Sequence, residues 1–180
     1  MCKTVFWTML LAGVCGWPGL AMADFDGRVV RVADGDTVTV LREHADGRKE
    51  QVRVRLSSID APERRQAYGT RSREHLANLV FDRQVRIEEQ GSDRYGRLIG
   101  VIHVGQRNAN QEMVHAGMAW AYRQYLNDST MLRLETAAKR AGRGLWADKQ
   151  AVAPWEFRRN EAARRKAERE AREQAAAAAP

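Results

Sequence analysis

Three short blocks of the sequence combine carboxylates and arginines at spacings that suit phosphodiester hydrolysis. The blocks are Asp34-Gly35-Asp36-Thr37, Arg55 to Glu63 and Asp93 to Arg97. If the strands that carry Asp36 and Asp60 end side by side, their carboxylates and the backbone carbonyl of Ala61 form an all-oxygen site. Such a site suits Ca²⁺ or Mg²⁺ rather than Zn²⁺. The first two blocks therefore predict a site for a hard divalent cation.

One further carboxylate and two arginines supply the rest of the chemistry. Glu63 lies within one turn of this cation site, where it can align a water and accept its proton as the water attacks phosphorus. Arg55 and Arg97 can bind the charge that develops on the phosphate oxygens. Each residue has a structural explanation when taken alone, since Asp-Gly is a common hairpin turn and an acid often begins a helix. Their joint presence in this order favours a hydrolytic site.

The composition is that of a soluble, basic, single-domain protein. The chain has 180 residues and a formal net charge of +7, with 44% hydrophobic and 29% charged residues. It is too apolar to be wholly disordered and too polar to be a multi-span membrane protein. Only five of its 30 basic residues are lysines. This arginine bias suits a protein that binds a polyanion, although genomic base composition explains it equally well.

The first 23 residues have the pattern of a secretory signal peptide. A positive start at Lys3 is followed by a short apolar run, a breaker at Pro18 and a small-residue site that ends at Ala23. An uncleaved membrane anchor is the alternative, and Pro18 argues against it. Both cysteines lie in this segment, so the mature chain would contain no disulfide. We predict an exported protein, either periplasmic or secreted by a bacterium, with no stable membrane association after cleavage.

The remaining chain predicts a small β-barrel with helices packed against it. Alternation and turn signals predict strands near 26–33, 36–43, 48–57, 84–89 and 97–104. Helices are expected near 66–81, 110–116 and 129–141, the last with Asp128 or Ser129 as its cap. This order indicates an α+β domain, mainly a five-stranded barrel, over residues 24–155. Residues 156–180 are mostly Arg, Glu and Ala without an apolar stripe, which predicts a solvated helix or a frayed tail.

The three blocks, in this order, resemble the signature blocks of the staphylococcal nuclease (thermonuclease) family. The resemblance extends over about Phe25 to Trp146 and includes Gly144-Leu145-Trp146. It implies an OB-fold barrel with three helices and a secreted, Ca²⁺-dependent nuclease that acts on DNA and RNA and leaves 3′-phosphate ends. One Ca²⁺ would be bound, and Mg²⁺ remains an alternative. The resemblance implies these roles: Asp36, Asp60 and Ala61 as ligands, Asp34 in the outer shell, and Arg55, Glu63 and Arg97 as catalytic residues.

The same resemblance implies residues that contact the substrate, although their types and spacing agree less well with the family's. Arg94 stands where a lysine faces a terminal phosphate, and Tyr95 follows it. Tyr122 and Tyr125 resemble a tyrosine pair that packs on the base and sugar, with one residue more between them. Stacking is indifferent to base identity, so the expected partners are single-stranded or breathing DNA and RNA. A monomer without a protein partner is expected.

The same barrel also occurs as a non-catalytic module that binds nucleic acid or protein. Degenerate copies typically lose one of the catalytic or ligand residues. Here the full set is present, which favours the enzyme: Asp36, Arg55, Asp60, Glu63 and Arg97.

Overall fold

The computed structural model describes residues 24–126 and 129–177. In chain order the strands are β1 (Phe25–Val32), β2 (Thr37–Glu43), β3 (Lys49–Leu56), β4 (Ile59–Asp60), β5 (Gln84–Ser92), β6 (Leu98–Val104), β7 (Arg107–Asn108) and β8 (Trp120–Ala121). The helices are α1 (Gly69–Val80), α2 (Ala109–His115), α3 (Thr130–Arg140) and α4 (Pro154–Ala177). Short 3₁₀ turns cover Arg123–Tyr125 and Gly144–Ala147. The predicted signal peptide lies outside the described residues.

Five of these strands close into a barrel. β1 pairs antiparallel with β2 and β5, β2 pairs with β3, and β5 pairs with β6. A parallel pairing of β3 with β6, with Val54 opposite Leu98, closes the ring. Side chains alternate between core and solvent along the strands, as in β5, where Val85 and Ile87 are buried. The predicted α+β, five-stranded OB-fold barrel is therefore confirmed.

The core lies between the barrel and α1 and α2. Leu56, Ile87 and Ile102 line its barrel side and are almost completely buried. Leu76 of α1 and Met113 of α2 are fully buried against them. Because buried apolar side chains pack these helices against the barrel, the helices and the strand ends are fixed relative to one another.

The element boundaries differ from the sequence-based ones where local geometry is irregular. β5 runs on to Ser92, past a shift between Glu89 and Gly91 in its pairing register with β6. α1 begins at Gly69 rather than near residue 66, because Tyr68 has the left-handed backbone conformation (φ 67°). Ser129 is the N-cap of α3 but makes no capping side-chain hydrogen bond, and Asp128 lies outside the described residues.

The charged segment after the barrel is a continuous helix, α4, of 24 residues. Pro154 at its first position has a fixed φ that suits a helix start. Glu–Arg pairs three or four residues apart support its exposed length, including Arg164 with Glu161 and Arg169 with Glu173. Among the described helices, none is both long and apolar enough to span a membrane.

Glu135 of α3 connects that helix to the barrel through a buried carboxylate. The side chain is 2% exposed and accepts hydrogen bonds from the backbone N–H of Ala121 and from Arg123 and Lys139. We expect Glu135→Ala to lower the free energy of unfolding by about 2 kcal/mol, because the Ala121 N–H would remain buried without an acceptor. Arg123 and Lys139 are partly exposed and can return to water, which limits the loss.

Urea unfolding measures this effect. Glu74→Ala, at an exposed position of α1, is the control and should change the stability by less than about 0.5 kcal/mol. Equal losses for the two variants would show that the Glu135 carboxylate does not support the fold.

Candidate active site

The turn between β1 and β2 brings Asp36 to one end of the barrel. Its Oδ1 accepts a hydrogen bond from Thr37 Oγ1 (3.0 Å), and its Oδ2 accepts one from the backbone N–H of Ala61 (3.0 Å). Gly35 packs so closely that an added Cβ would lie 1.9 Å from Ser72 Oγ and 2.7 Å from Ala61 Cβ. The glycine of this Asp-Gly pair is thus required by packing against α1, and it lets Asp36 approach Ala61.

Arg55 joins Asp36 to Asp60. It lies near the end of β3, and a tight turn through Ser58 (φ 62°) returns the chain as β4. Its guanidinium donates to Asp36 Oδ1 through Nη1 (2.7 Å) and to Asp60 Oδ1 through Nη2 (3.0 Å). The Asp60 side chain is completely buried, and that of Asp36 is 6% exposed. The structure therefore brings the two carboxylates among the predicted cation ligands around one guanidinium.

Two carboxyl groups here, those of Asp34 and Asp60, are held in surroundings that raise their pKa. Burial, followed by the neighbouring Asp36 charge, raises the pKa of the Asp34 carboxyl to about 6. Burial also raises the pKa of Asp60, although Arg158 and Arg55 act in the opposite direction. Carboxylates in such a cluster are stabilised by any cation that comes between them.

Glu63 is positioned by a compact loop between β4 and α1. Its backbone N–H donates to Gln66 Oε1 (3.1 Å), and its carbonyl accepts from the Gln66 N–H (2.8 Å). Gly69 packs against the same carbonyl, where a Cβ would lie only 2.0 Å from the oxygen. The Glu63 side chain is 42% exposed. The loop therefore fixes the backbone and leaves the carboxylate accessible to water.

Arg158 of α4 belongs to this cluster, and the sequence patterns did not indicate it. Its Nη2 donates to Asp60 Oδ2 at 2.7 Å, and its Nη1 donates to Glu63 Oε1 at 2.8 Å and to Asp60 Oδ1 at 3.2 Å. Burial opposes its charge, but these two carboxylates raise the pKa of Arg158 above its ordinary value. The segment after the barrel thus supplies a direct partner of the predicted general base.

An aromatic stack and a hydrogen bond are among the contacts that hold the start of α4 against the site. The Trp155 ring stacks on Tyr122 with centroids 5.6 Å apart and an interplanar angle of 21°. Gln66 Nε2 donates to the Val152 carbonyl at 2.6 Å. Gln66 therefore connects the Glu63 loop to the segment that precedes α4.

Arg97 pairs with a carboxylate outside the cluster around Arg55. Arg97 directly precedes β6. In the parallel pairing of β6 with β3, Ile99 lies opposite Arg55, so Arg97 stands two residues before the partner of Arg55. Its guanidinium pairs with Asp93 through Nε and Nη2, each at 2.7 Å. This pair closes the β5–β6 loop, with Arg94 and Tyr95 at its tip and Tyr95 67% exposed. In this conformation Arg97 thus contacts Asp93 and not the carboxylates around Arg55.

Of the two tyrosines in the predicted stacking pair, the structure describes the side chain of Tyr122. Tyr122 lies beside β8, stacked on Trp155, and its hydroxyl donates to Gln124 (3.2 Å). The side chain of Tyr125 is not among those described. The ring that Tyr122 was expected to offer to a base therefore packs on Trp155 here.

The donor set fits a hard divalent cation. Among residues 24–126 and 129–177, no three acidic or histidine side chains form a ready-made metal cage. In this conformation Arg55 and Arg158 neutralise Asp60, where a cation would bind. If these arginines are displaced, the carboxylate oxygens of Asp36 and Asp60, with the predicted Ala61 carbonyl, would form an all-oxygen donor set, and Asp34 lies beside Asp36. The assignment of these residues as ligands stays a prediction.

Together, fold and site define an OB-fold protein with an acidic, arginine-lined site suited to phosphate chemistry. Comparison with known proteins identifies the group. Residues 53–148 match the family model described as "Staphylococcal nuclease homologue", which is more than half of the chain. The chain belongs to the staphylococcal nuclease family.

Several relatives are similar over most of their length. The chain is 48% identical over 156 residues to "Protein ParB" of Escherichia coli, with 81% of this chain and 85% of that protein covered. It is 44% identical over 162 residues to "Micrococcal nuclease" of Shigella flexneri, which covers 84% and 87%. A third relative, an "Uncharacterized endonuclease" of Haemophilus influenzae, is 45% identical over 134 residues, with 74% and 73% covered.

Proposed function

We propose that this protein is a Ca²⁺-dependent nuclease that hydrolyses DNA and RNA with little sequence specificity and leaves 3′-phosphate ends. Membership of the staphylococcal nuclease family and relatives named as a nuclease and endonucleases support a nuclease hydrolase. The observation that carries the finer proposal is the contact network at one end of the barrel. There, Asp36 and Asp60 share Arg55, and Asp60 shares Arg158 with Glu63.

In the proposed mechanism Glu63 activates water. Its carboxylate aligns a water and takes one proton as the oxygen attacks phosphorus. The bond between phosphorus and O5′ breaks and O5′ takes a proton from solvent water, which leaves a 3′-phosphate and a 5′-hydroxyl. Glu63 suits this task because its loop fixes the backbone while the carboxylate remains open to solvent.

Arginines bind the charge that builds up on the phosphate. Arg55 is held at the carboxylates by charge-assisted hydrogen bonds, so its guanidinium is pre-oriented. In the structure Arg97 is paired with Asp93, and both side chains are less than one-fifth exposed. To bind a phosphate oxygen, Arg97 would have to leave Asp93. A bound Ca²⁺, held by Asp36, Asp60 and the Ala61 carbonyl, would supply electrostatic stabilisation of the same charge.

The proposed substrates are single-stranded or breathing DNA and RNA. Arg94 and Tyr95 at the tip of the β5–β6 loop, with Tyr122 and Tyr125, are the proposed contacts to phosphate, base and sugar. We also propose, from the pattern of residues 1–23, that the protein is exported and acts as a monomer in the periplasm or outside the cell.

Removal of the cation tests the proposal directly. The purified protein is incubated with single-stranded DNA and with RNA, first in Ca²⁺ and then in excess chelator. We expect cleavage in Ca²⁺, loss of cleavage in chelator, recovery when Ca²⁺ is restored, and 3′-phosphate ends on the products. Binding of the same substrates without cleavage under any of these conditions would instead identify the non-catalytic module.

A further inference from the structure

A cavity lined by three arginines lies beside the candidate active site. Its volume is about 460 Å³, and Arg31, Arg64 and Arg73 contribute to its wall together with Asp34 and Gly69. We call this cavity the arginine pocket. The three arginines come from the end of β1, the Glu63 loop and α1, so the fold gathers them from separate parts of the chain.

The charge of these arginines is not neutralised by neighbouring acids. Within the described part of the chain, none of the three forms an ion pair with a carboxylate, and Arg64 donates only a 3.5 Å hydrogen bond to the Ala33 carbonyl. Other arginines differ, since Arg28 pairs with Asp82 and Arg86 with Asp24. Unpaired guanidinium groups around a cavity favour an anionic ligand.

One acid borders the pocket without cancelling its charge. Asp34 Oδ1 accepts the backbone N–H of Asp36 at 3.1 Å, so this carboxyl is engaged on the side of the candidate cation site. Three guanidinium groups against one carboxyl leave the pocket with excess positive charge. Guanidinium groups bind phosphate oxygens in pairs, which makes phosphate the fitting chemical class.

The position of the pocket indicates which phosphate it would take. Arg64 directly follows Glu63, and Gly69 packs on the Glu63 carbonyl, so pocket and proposed general base share one loop. We propose that the arginine pocket binds a backbone phosphate of the nucleic acid strand next to the phosphate that is cleaved. This inference rests on the proposed function. It adds a binding subsite on the Arg64 side of Glu63.

Oligonucleotide binding tests the subsite without any need for catalysis. The parent is the full chain with Glu63→Gln, which prevents cleavage during the measurement. Its test variant adds Arg31→Gln and Arg73→Gln, which leaves the loop residue Arg64 in place. The matched control adds Arg107→Gln and Arg140→Gln, which removes two exposed arginines that do not line the pocket.

Fluorescence anisotropy in Ca²⁺ measures the affinity of each protein for two labelled single-stranded oligonucleotides. One is a dinucleotide with a single phosphodiester, and the other has about eight nucleotides. We expect the pocket variant to bind the longer strand about tenfold more weakly than the parent does, since it loses charge-assisted contacts to one phosphate. The negative slope of log affinity against log salt should become less steep by about 0.7, the value for one phosphate contact on a single strand. Its dinucleotide affinity and all affinities of the control should stay within about twofold of the parent.

Three outcomes would overturn the inference. Equal losses in pocket variant and control would show that only overall charge matters. Equal losses on dinucleotide and longer strand would place the effect at the cleaved phosphate, and no loss on either strand would leave the pocket without a ligand. Cleavage by the wild-type chain is assayed separately, so failure of the proposed function is distinguishable from failure of the subsite.

Discussion

We expect Glu63→Gln to remain folded and to lower kcat by about 10²–10⁴-fold, the contribution typical of a positioned general base. The amide keeps the size of the side chain but does not accept the proton of the attacking water. Stability should change little, because the Glu63 side chain is 42% exposed and its pair with Arg158 is partly screened by solvent.

Single-turnover cleavage of single-stranded DNA in saturating Ca²⁺ measures this loss, so that product release does not mask the chemical step. Glu156→Gln is the control: it makes the same chemical change at an exposed glutamate of α4 whose partner is Arg159. We expect activity close to wild type for that variant. Undiminished kcat in Glu63→Gln would remove Glu63 from the mechanism, and equal losses in both variants would point to a general charge effect.

We expect Arg158→Ala to strengthen the proposed Ca²⁺ binding. In the structure the Arg158 guanidinium bonds to both oxygens of Asp60 and to Glu63, so a cation that ligates Asp60 competes with it. Hydrogen bonds to charged groups contribute about 1.5–3 kcal/mol. Because Arg158 is 42% exposed, solvent screens part of this energy, and we expect the lower end, a gain of about tenfold in affinity.

Isothermal titration of the purified protein with Ca²⁺ measures the affinity without any substrate. Arg159→Ala removes the neighbouring arginine, which is 73% exposed and pairs with Glu156, and should leave the affinity unchanged. A second readout is the tryptophan fluorescence, to which Trp155 contributes and which should change if its stacking on Tyr122 is lost. Ca²⁺ affinity that is unchanged or weaker in Arg158→Ala would show that Arg158 and the cation do not compete.

Much of the barrel could be predicted because its strands have one face in the core. Burial of alternate residues in β1 and β5 appears in the sequence as period-two alternation, and a shift by one residue would turn the apolar set outward. The ends of elements were less predictable. The left-handed Tyr68 before α1 and the register shift in β5 depend on tertiary packing that leaves no local pattern.

In the candidate site, too, some residues could be predicted from the sequence and one could not. Asp36, Arg55, Asp60 and Glu63 lie in two short blocks, so a local motif brings them near one another once β1, β2 and β3 pair. Arg158 follows Glu63 by 95 residues, in a helix that lacks an apolar stripe. Its sequence context is that of a solvated helix, and tertiary contacts such as the Trp155–Tyr122 stacking and the Gln66–Val152 hydrogen bond determine where it docks.

The parallel pairing of β3 with β6 also determines when the site forms. It joins Val54 to Leu98 across a long stretch of chain, and such non-local pairings are slow to form because loop-closure entropy is lost before the contact stabilises the fold. Arg55 and Arg97 lie on the two strands or strand ends that this pairing brings together. During folding the strands that carry Arg55 and Arg97 therefore come together only when the barrel closes. We expect a partly folded chain to lack the complete proposed site.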